Sequence, residues 1–202
     1  MVDIPESIKY DYRFKYIVVG SAKVGKTCFI KRFVDDTFDE NEKSTIFNFL
    51  YHKYINSQEK TFKLEIHDIA LHETAINIAP QFIRGAVGVF LVFSLSDIDS
   101  INVIDKWYKL VTKTIGYDSA KFFIIGTQND NGDQDKADKQ AHIYAKKRQM
   151  KYYSTSAKTG SNVEEAFVDL TQYVYQDVID NKIELVPTYN LWSNIKKNSC
   201  IC

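Results

Sequence analysis

The chain has 202 residues, 45% hydrophobic and 26% charged, and its 26 acidic and 26 basic side chains cancel. That length suits one domain with a substantial core, and the composition is globular, not disordered. The charge balance and the lack of a long basic run remove the electrostatic footprint of a nucleic-acid-binding protein, and no apolar stretch approaches a membrane span.

Residues 1–13 read as a polar, proline-containing lead-in. They lack the basic and apolar regions of a signal peptide, and Val2 excludes the N-myristoylation pattern, so a cytosolic chain is expected. Residues 14–183 read as the folded domain and 184–202 as a flexible tail. Tyr16–Val19 is a short apolar run suited to a buried strand, and Lys26–Asp35 has Phe29, Ile30 and Phe33 at helical spacing. Cys28 falls inside that helix as a small packed side chain. Asp35–Ser44 is charged and loop-like. Phe47–Ile55 and Thr61–Asp68 read as two strands of a hairpin, the second alternating Phe62, Leu64 and Ile66 with Lys63, Glu65 and His67.

Ile69–Arg84 carries Pro80 and reads as a loop with a short helix. Val87–Phe93 and Phe122–Ile125 are continuous apolar runs, typical of parallel strands covered on both faces. Between them Asp99–Ile115 has helical spacing at Val103, Trp107, Leu110 and Val111. A second helix is predicted over Asp135–Arg148 and a short strand over Lys151–Ser154. Ser161-Asn162-Val163-Glu164 resembles a capping box before a helix whose inner face is Val163, Phe167, Leu170, Val174 and Val178. This alternation predicts an α/β fold, a doubly wound, mostly parallel sheet with one antiparallel hairpin.

Between the first strand and helix lies Gly20-Ser21-Ala22-Lys23-Val24-Gly25-Lys26-Thr27, which fits the phosphate-binding loop pattern G-x-x-x-x-G-K-[ST]. Its glycines let backbone N–H groups turn inward around phosphate oxygens, and the helix adds the positive end of its dipole. Lys26 is placed to reach the β- and γ-phosphates and Thr27 to ligate Mg²⁺. In such a sheet the ligand lies at the carboxyl ends of the strands, and each end here is polar. Asp68 closes one strand as an aspartate placed to hold Mg²⁺ through a water; Thr127-Gln128-Asn129-Asp130 follows another, and Ser156-Ala157-Lys158 follows the last.

In that order the motifs resemble a small GTPase of the Ras superfamily, P-loop NTPase in fold, from about Tyr12 to Gln176. Phe82-Ile83-Arg84-Gly85-Ala86, Leu91-Val92-Phe93-Ser94-Leu95 and Trp107 are most similar to the Rab subfamily, whereas Thr127-Gln128-x-Asp130 is closer to Rho. The resemblance implies GTP and GDP as ligands with Mg²⁺, and a phosphate-binding set that includes Ser21, Ala22, Lys23, Val24 and the position of Cys28. It also implies a guanine site in which Asp130 accepts from guanine N1–H and the 2-amino group. In that site Thr127 and Gln128 stand at the asparagine and lysine positions and Phe38 packs edge-on, while in the Ser156-Ala157-Lys158 motif the backbone N–H of Ala157 and Lys158 hold the guanine oxygen and cover the ring. Thr45 matches the threonine that closes onto Mg²⁺ and the γ-phosphate.

Two stretches depart from the family. Where the family has D-T-A-G-Q-E the chain has Asp68-Ile69-Ala70-Leu71-His72-Glu73, so His72 stands for the water-orienting glutamine and Leu71 for a mobile glycine. Slow hydrolysis is expected, and a nucleotide-binding scaffold with little hydrolysis is the alternative. The strand that usually docks Rab effectors reads Ile46-Phe47-Asn48-Phe49-Leu50 in place of I-G-V-D-F. A P-loop kinase is disfavoured, because no lid-like arginine cluster is visible and the Asp130 and Ser156-Ala157-Lys158 motifs point to guanine. The chain ends Cys200-Ile201-Cys202, similar to Rabs that carry two geranylgeranyl groups, and two lipids give the stable anchoring that one does not. The resemblance thus implies a lipid-anchored switch on the cytosolic face of intracellular membranes. Its implied partners are an exchange factor, a GTPase-activating protein, effectors and an extraction chaperone.

Overall fold

A computed structural model describes residues 9–42, 48–69, 79–116, 118–131, 135–183 and 185. Among the described residues six strands form one sheet in the order β2-β3-β1-β4-β5-β6. They are β1 (Tyr12–Gly20), β2 (Phe49–Ser57), β3 (Lys60–Asp68), β4 (Gly88–Ser94), β5 (Lys121–Thr127) and β6 (Lys151–Ser154). The β2–β3 pair is antiparallel, whereas β1 pairs in parallel with β3 and β4, β4 with β5, and β5 with β6. The helices are α1 (Lys26–Asp35), α2 (Ala79–Ile83), α3 (Ile104–Ile115), α4 (Asp135–Arg148) and α5 (Val163–Ile179). The doubly wound, mostly parallel arrangement is the one that the apolar runs predict.

Alternation along β1 divides the core. Phe14, Tyr16 and Val18 face a cluster with Phe29, Ile30, Phe33, Phe167, Leu170 and Val174 from α1 and α5. Ile17 and Val19 face the opposite cluster, with Trp107 and Val111 of α3 and Ala137, Ala141 and Ala145 of α4. Aromatic stacking locks α1 to α5: the Phe33 and Phe167 ring centroids lie 3.9 Å apart with planes 5° from parallel. The small alanine stripe lets α4 approach the sheet closely despite a polar sequence.

The structure corrects three expectations. The helix expected over Asp99–Ile115 is broken into a 3-10 turn, Ile98–Val103, followed by α3. There the Asp97 carboxylate accepts from the Asp99 N–H at 3.1 Å, a local bond that favours a turn over an α-helical start. The capping box does not form. Asn162 is the N-cap of α5 with φ 57°, without a side-chain cap bond, and its amide instead donates to Ser154 O at 2.7 Å. The hairpin turn is also shorter than expected, because β2 runs through Asn56 and Ser57 and only Gln58 and Glu59 remain as the loop.

Candidate functional site

The parallel strands deliver their polar ends to one edge of the sheet. Val18 pairs with Asp68, Gly20 with Val92, and Ser94 with Thr127, so the phosphate loop emerges between the ends of β3, β4 and β5. Gly20 is required by a close approach: a Cβ there would lie 2.1 Å from the Val92 carbonyl oxygen. Gly25 takes φ 86° as the N-cap of α1, and no acidic residue occupies the first turn of that helix. The positive helix end is therefore left to an anion.

Three of the predicted site side chains meet there. Lys26 is buried, and its ammonium donates to Gly20 O at 3.1 Å and Ser21 O at 2.7 Å, which curls the side chain back over the loop. Burial pulls its pKa below the ordinary lysine value, and the nearby Asp68 carboxylate opposes part of that shift. Asp68 is fully buried, and the Thr27 hydroxyl donates to its Oδ2 at 2.5 Å. A hydroxyl and a carboxylate at one point are hard oxygen donors, which suits Mg²⁺ in chemistry. Lys23, exposed at the loop's crest, takes φ 65°. The Cys28 thiol is half-buried and pushed up in pKa mainly by that burial, which fits a packed side chain, not a reactive one.

At the motifs expected to hold the base, Ser156 is buried and its hydroxyl donates to Asp130 Oδ1 at 2.5 Å, which fixes the carboxylate's orientation. Thr127 is buried beneath the loop, where its hydroxyl lies 2.5 Å from Val24 O and 3.0 Å from Phe93 O. It ties the phosphate loop to β4 and β5, a positioning role. Gln128 takes φ 63°, and its side-chain oxygen accepts from Ser94 Oγ at 2.7 Å. Phe38 is 36% exposed, and Lys158 reaches Glu40 at 3.5 Å.

The structure thus brings Gly20 to Thr27, Asp68, Thr127 to Asp130, and Ser156 to Lys158 to one edge of the sheet. Thr45, Leu71, His72, Cys200 and Cys202 lie outside the described residues. One contributor escaped the motif reading: Arg32 of α1 donates from Nε to Ala157 O at 2.6 Å and from Nη2 to Lys158 O at 3.2 Å. A basic residue in the last turn of the first helix was its only sequence signal, and that signal reads equally as helix-end charge.

A phosphate loop between β1 and α1, a buried aspartate ending the neighbouring β3, and a serine-held aspartate just past the end of β5 define a P-loop protein of the small-GTPase class. The model of the Ras family matches residues 15–176. Among relatives, the chain is 32% identical over 166 residues to GTP-binding protein YPTM1 of Zea mays, covering 82% of this chain and 79% of that one. It is 30% identical to GTP-binding protein ypt1 of Schizosaccharomyces pombe, covering 86% and 85%. It is 31% identical over 192 residues to Ras-related protein Rab-8B of Dictyostelium discoideum, covering 95% and 94%. The chain belongs to the Ras family and is a Rab-like small GTPase.

Proposed function

We propose that the protein is a GTP/GDP switch of vesicle trafficking that works from the cytosolic face of a membrane and hydrolyses GTP slowly. One observation carries the nucleotide reading: Lys26, Thr27 and Asp68 converge at the mouth of a helix whose positive end bears no acidic side chain. Thr27 and Asp68 are the residues to hold Mg²⁺, which neutralises charge on the β- and γ-phosphate oxygens when bound. Lys26 supplies a partly desolvated positive charge to the same oxygens. Desolvation strengthens that attraction, since its charge is screened less than a surface lysine's.

Guanine selectivity rests on Asp130, because its carboxylate can accept from two adjacent donors that adenine does not present. Ser156 holds it in place for that task. The test is competition between GTP and ATP for the purified chain in Mg²⁺. Guanine binding at least about 10⁴-fold tighter supports the assignment, and equal binding overturns it.

Slow hydrolysis and membrane anchoring draw on sequence alone, from Leu71, His72, Cys200 and Cys202. Among the described residues no helix is long and apolar enough to cross a membrane, so attachment through the paired cysteines is the route proposed. Cell fractionation of Cys200→Ser, Cys202→Ser and the double variant tests it: partial release for each single change and full release for the double. A double variant that keeps its membrane fraction places the anchor elsewhere. The second reading, a nucleotide-binding scaffold, is favoured by the same Leu71 and His72. Single-turnover phosphate release from GTP-loaded protein separates it from a slow switch.

A further inference from the structure

We propose that Arg32 is a positioning residue of the guanine site, a clamp that holds the Ala157–Lys158 loop against the end of α1 and so sets the place of the Ala157 N–H. The inference rests on the reading above in which that N–H meets the guanine oxygen.

The guanidinium uses all three of its nitrogens. Nε donates to Ala157 O at 2.6 Å and Nη2 to Lys158 O at 3.2 Å, while Nη1 donates to Asp36 O at 3.0 Å and to Asp36 Oδ1 at 2.7 Å. Its side chain is only 18% exposed. Bonds from a charged donor are the stronger kind, and the rigid planar fork fixes direction as well as distance. Holding the carbonyls of two consecutive residues fixes the turn of the peptide plane between them. The loop is held from its other side by Ser156, whose carbonyl accepts from Gly160 N–H at 2.9 Å and whose hydroxyl accepts from Thr159 N–H at 3.1 Å. Clamped at both sides, the loop presents Ala157 in one conformation.

The fourth bond extends the clamp to the other wall of the base site. Asp36 caps α1 in the left-handed region, φ 54°, two residues before Phe38. One side chain therefore fixes both the loop that meets the guanine oxygen and the start of the segment that carries the aromatic neighbour of the base. Since α1 begins at the phosphate loop, Arg32 also sets the spacing between base and phosphates. The plain alternative is a helix-end ion pair with Asp36, four residues on, whose carboxylate is 90% exposed. Such a pair contributes little and leaves the two bonds to a loop 125 and 126 residues away unexplained.

The experiment compares dissociation of GDP and of 6-thio-GDP, in Mg²⁺, from the full chain and from Arg32→Ala and Arg32→Lys. Sulfur is larger than oxygen and a weaker acceptor, so a tightly set N–H discriminates against the thio analogue and a loosened one does so less. Arg32→Ala is expected to release GDP at least about tenfold faster, with the preference for GDP over 6-thio-GDP falling toward one. Arg32→Lys keeps the charge but not the fork, and is expected to follow Arg32→Ala. It carries the test if the alanine variant fails to fold. If both nucleotides leave faster by the same factor, or Arg32→Lys behaves as wild type, the clamp is overturned and Arg32 is a helix-end charge. A wild type that does not prefer guanine over adenine nucleotides overturns the underlying reading instead.

Discussion

At the scale of single residues, Thr127 and Gln128 separate what a motif transmits from what it hides. Matching them to the family's base-binding positions gives residue type and place, but not the partner each side chain takes. Thr127 is too short to extend past its own strand end, so its hydroxyl is engaged by Val24 O and Phe93 O underneath the loop. Gln128 is turned by its φ of 63° toward Ser94. Val24 lies in the phosphate loop and Phe93 and Ser94 on β4, all distant in sequence, which is why neither engagement was legible. Asp130 is different, because its role needs only a carboxylate at a strand end, and the supporting serine lay in a recognisable motif. With Thr127 and Gln128 so engaged, the proposed guanine selectivity rests on Asp130. Asp130→Asn is therefore expected to lose guanine nucleotides by about 10⁴-fold and to gain xanthine nucleotides, whose extra oxygen accepts from the new amide. Competition binding with GDP and XDP measures both. A variant that keeps GDP and ignores XDP would move base recognition off Asp130. The metal side has its own test: Thr27→Asn is expected to weaken GTP more than GDP, since only the triphosphate offers Mg²⁺ both β- and γ-oxygens. Titration of both nucleotides in Mg²⁺ decides it, and equal losses would remove Thr27 from the metal's ligands.

At the scale of elements, hydrophobic period was readable and end chemistry was not. Apolar runs located β4 and β5 within two residues because burial on both faces admits almost nothing else. The start of α5 resisted, since Asn162 had a better use for its amide on β6 than in capping. The β2–β3 turn was hidden for a similar reason: Gln58 and Glu59 both take positive φ, 49° and 59°, without the Asn-Gly pair that normally marks a two-residue turn. That strain is removable. Glu59→Gly is expected to stabilise the protein by about 0.5–1 kcal/mol, read as a higher urea midpoint, and a lowered midpoint would show that the Glu59 side chain contributes more than its backbone costs. Between α3 and α4 the joint is electrostatic. Asp105 pairs with Lys109 at 2.7 Å and with Arg148, and accepts from Tyr144 at 3.2 Å. Lys109 first, then Arg148, hold the Asp105 carboxyl below its ordinary 3.8. A depressed folded-state pKa means stability that is present above the unfolded value and lost as pH falls through the folded one. Asp105→Asn is thus expected to cost about 1 kcal/mol at pH 7, after allowance for screening at a partly exposed site, and nothing once the wild-type carboxyl is protonated. Urea midpoints of both proteins from pH 7 down to 3 check this; a pH-independent gap would point to lost packing instead.

At the scale of the whole molecule, one sheet edge gathers most of the described site residues, and the chemistry expected of a switch depends on what that edge can move. The floor of the proposed nucleotide site is well anchored: β4 is buried throughout, β1 from Tyr16 to Gly20 and β3 on one face, Thr127 pins the phosphate loop from below, and Asp68 is held by Thr27. Nucleotide binding by that floor and hydrolysis aided by the segment that follows β3 are therefore expected to be separable by substitution. Hydrolysis needs a group that orients water and a backbone free to bring it in, and the sequence offers His72 and Leu71 at those two positions. Leucine excludes most positive-φ conformations that glycine permits, so restoring the glutamine alone leaves its carrier poorly placed. His72→Gln is therefore expected to raise single-turnover phosphate release modestly, and Leu71→Gly alone to do little. The double variant is expected to exceed the product of the two, as residues that act as one unit do. Nucleotide affinity should change little across the series, because neither residue belongs to the floor. A wild type as fast as ordinary Ras-family enzymes would remove the premise, and a double variant no faster than wild type would place the defect elsewhere, with Lys23 at the loop's crest the next position to exchange.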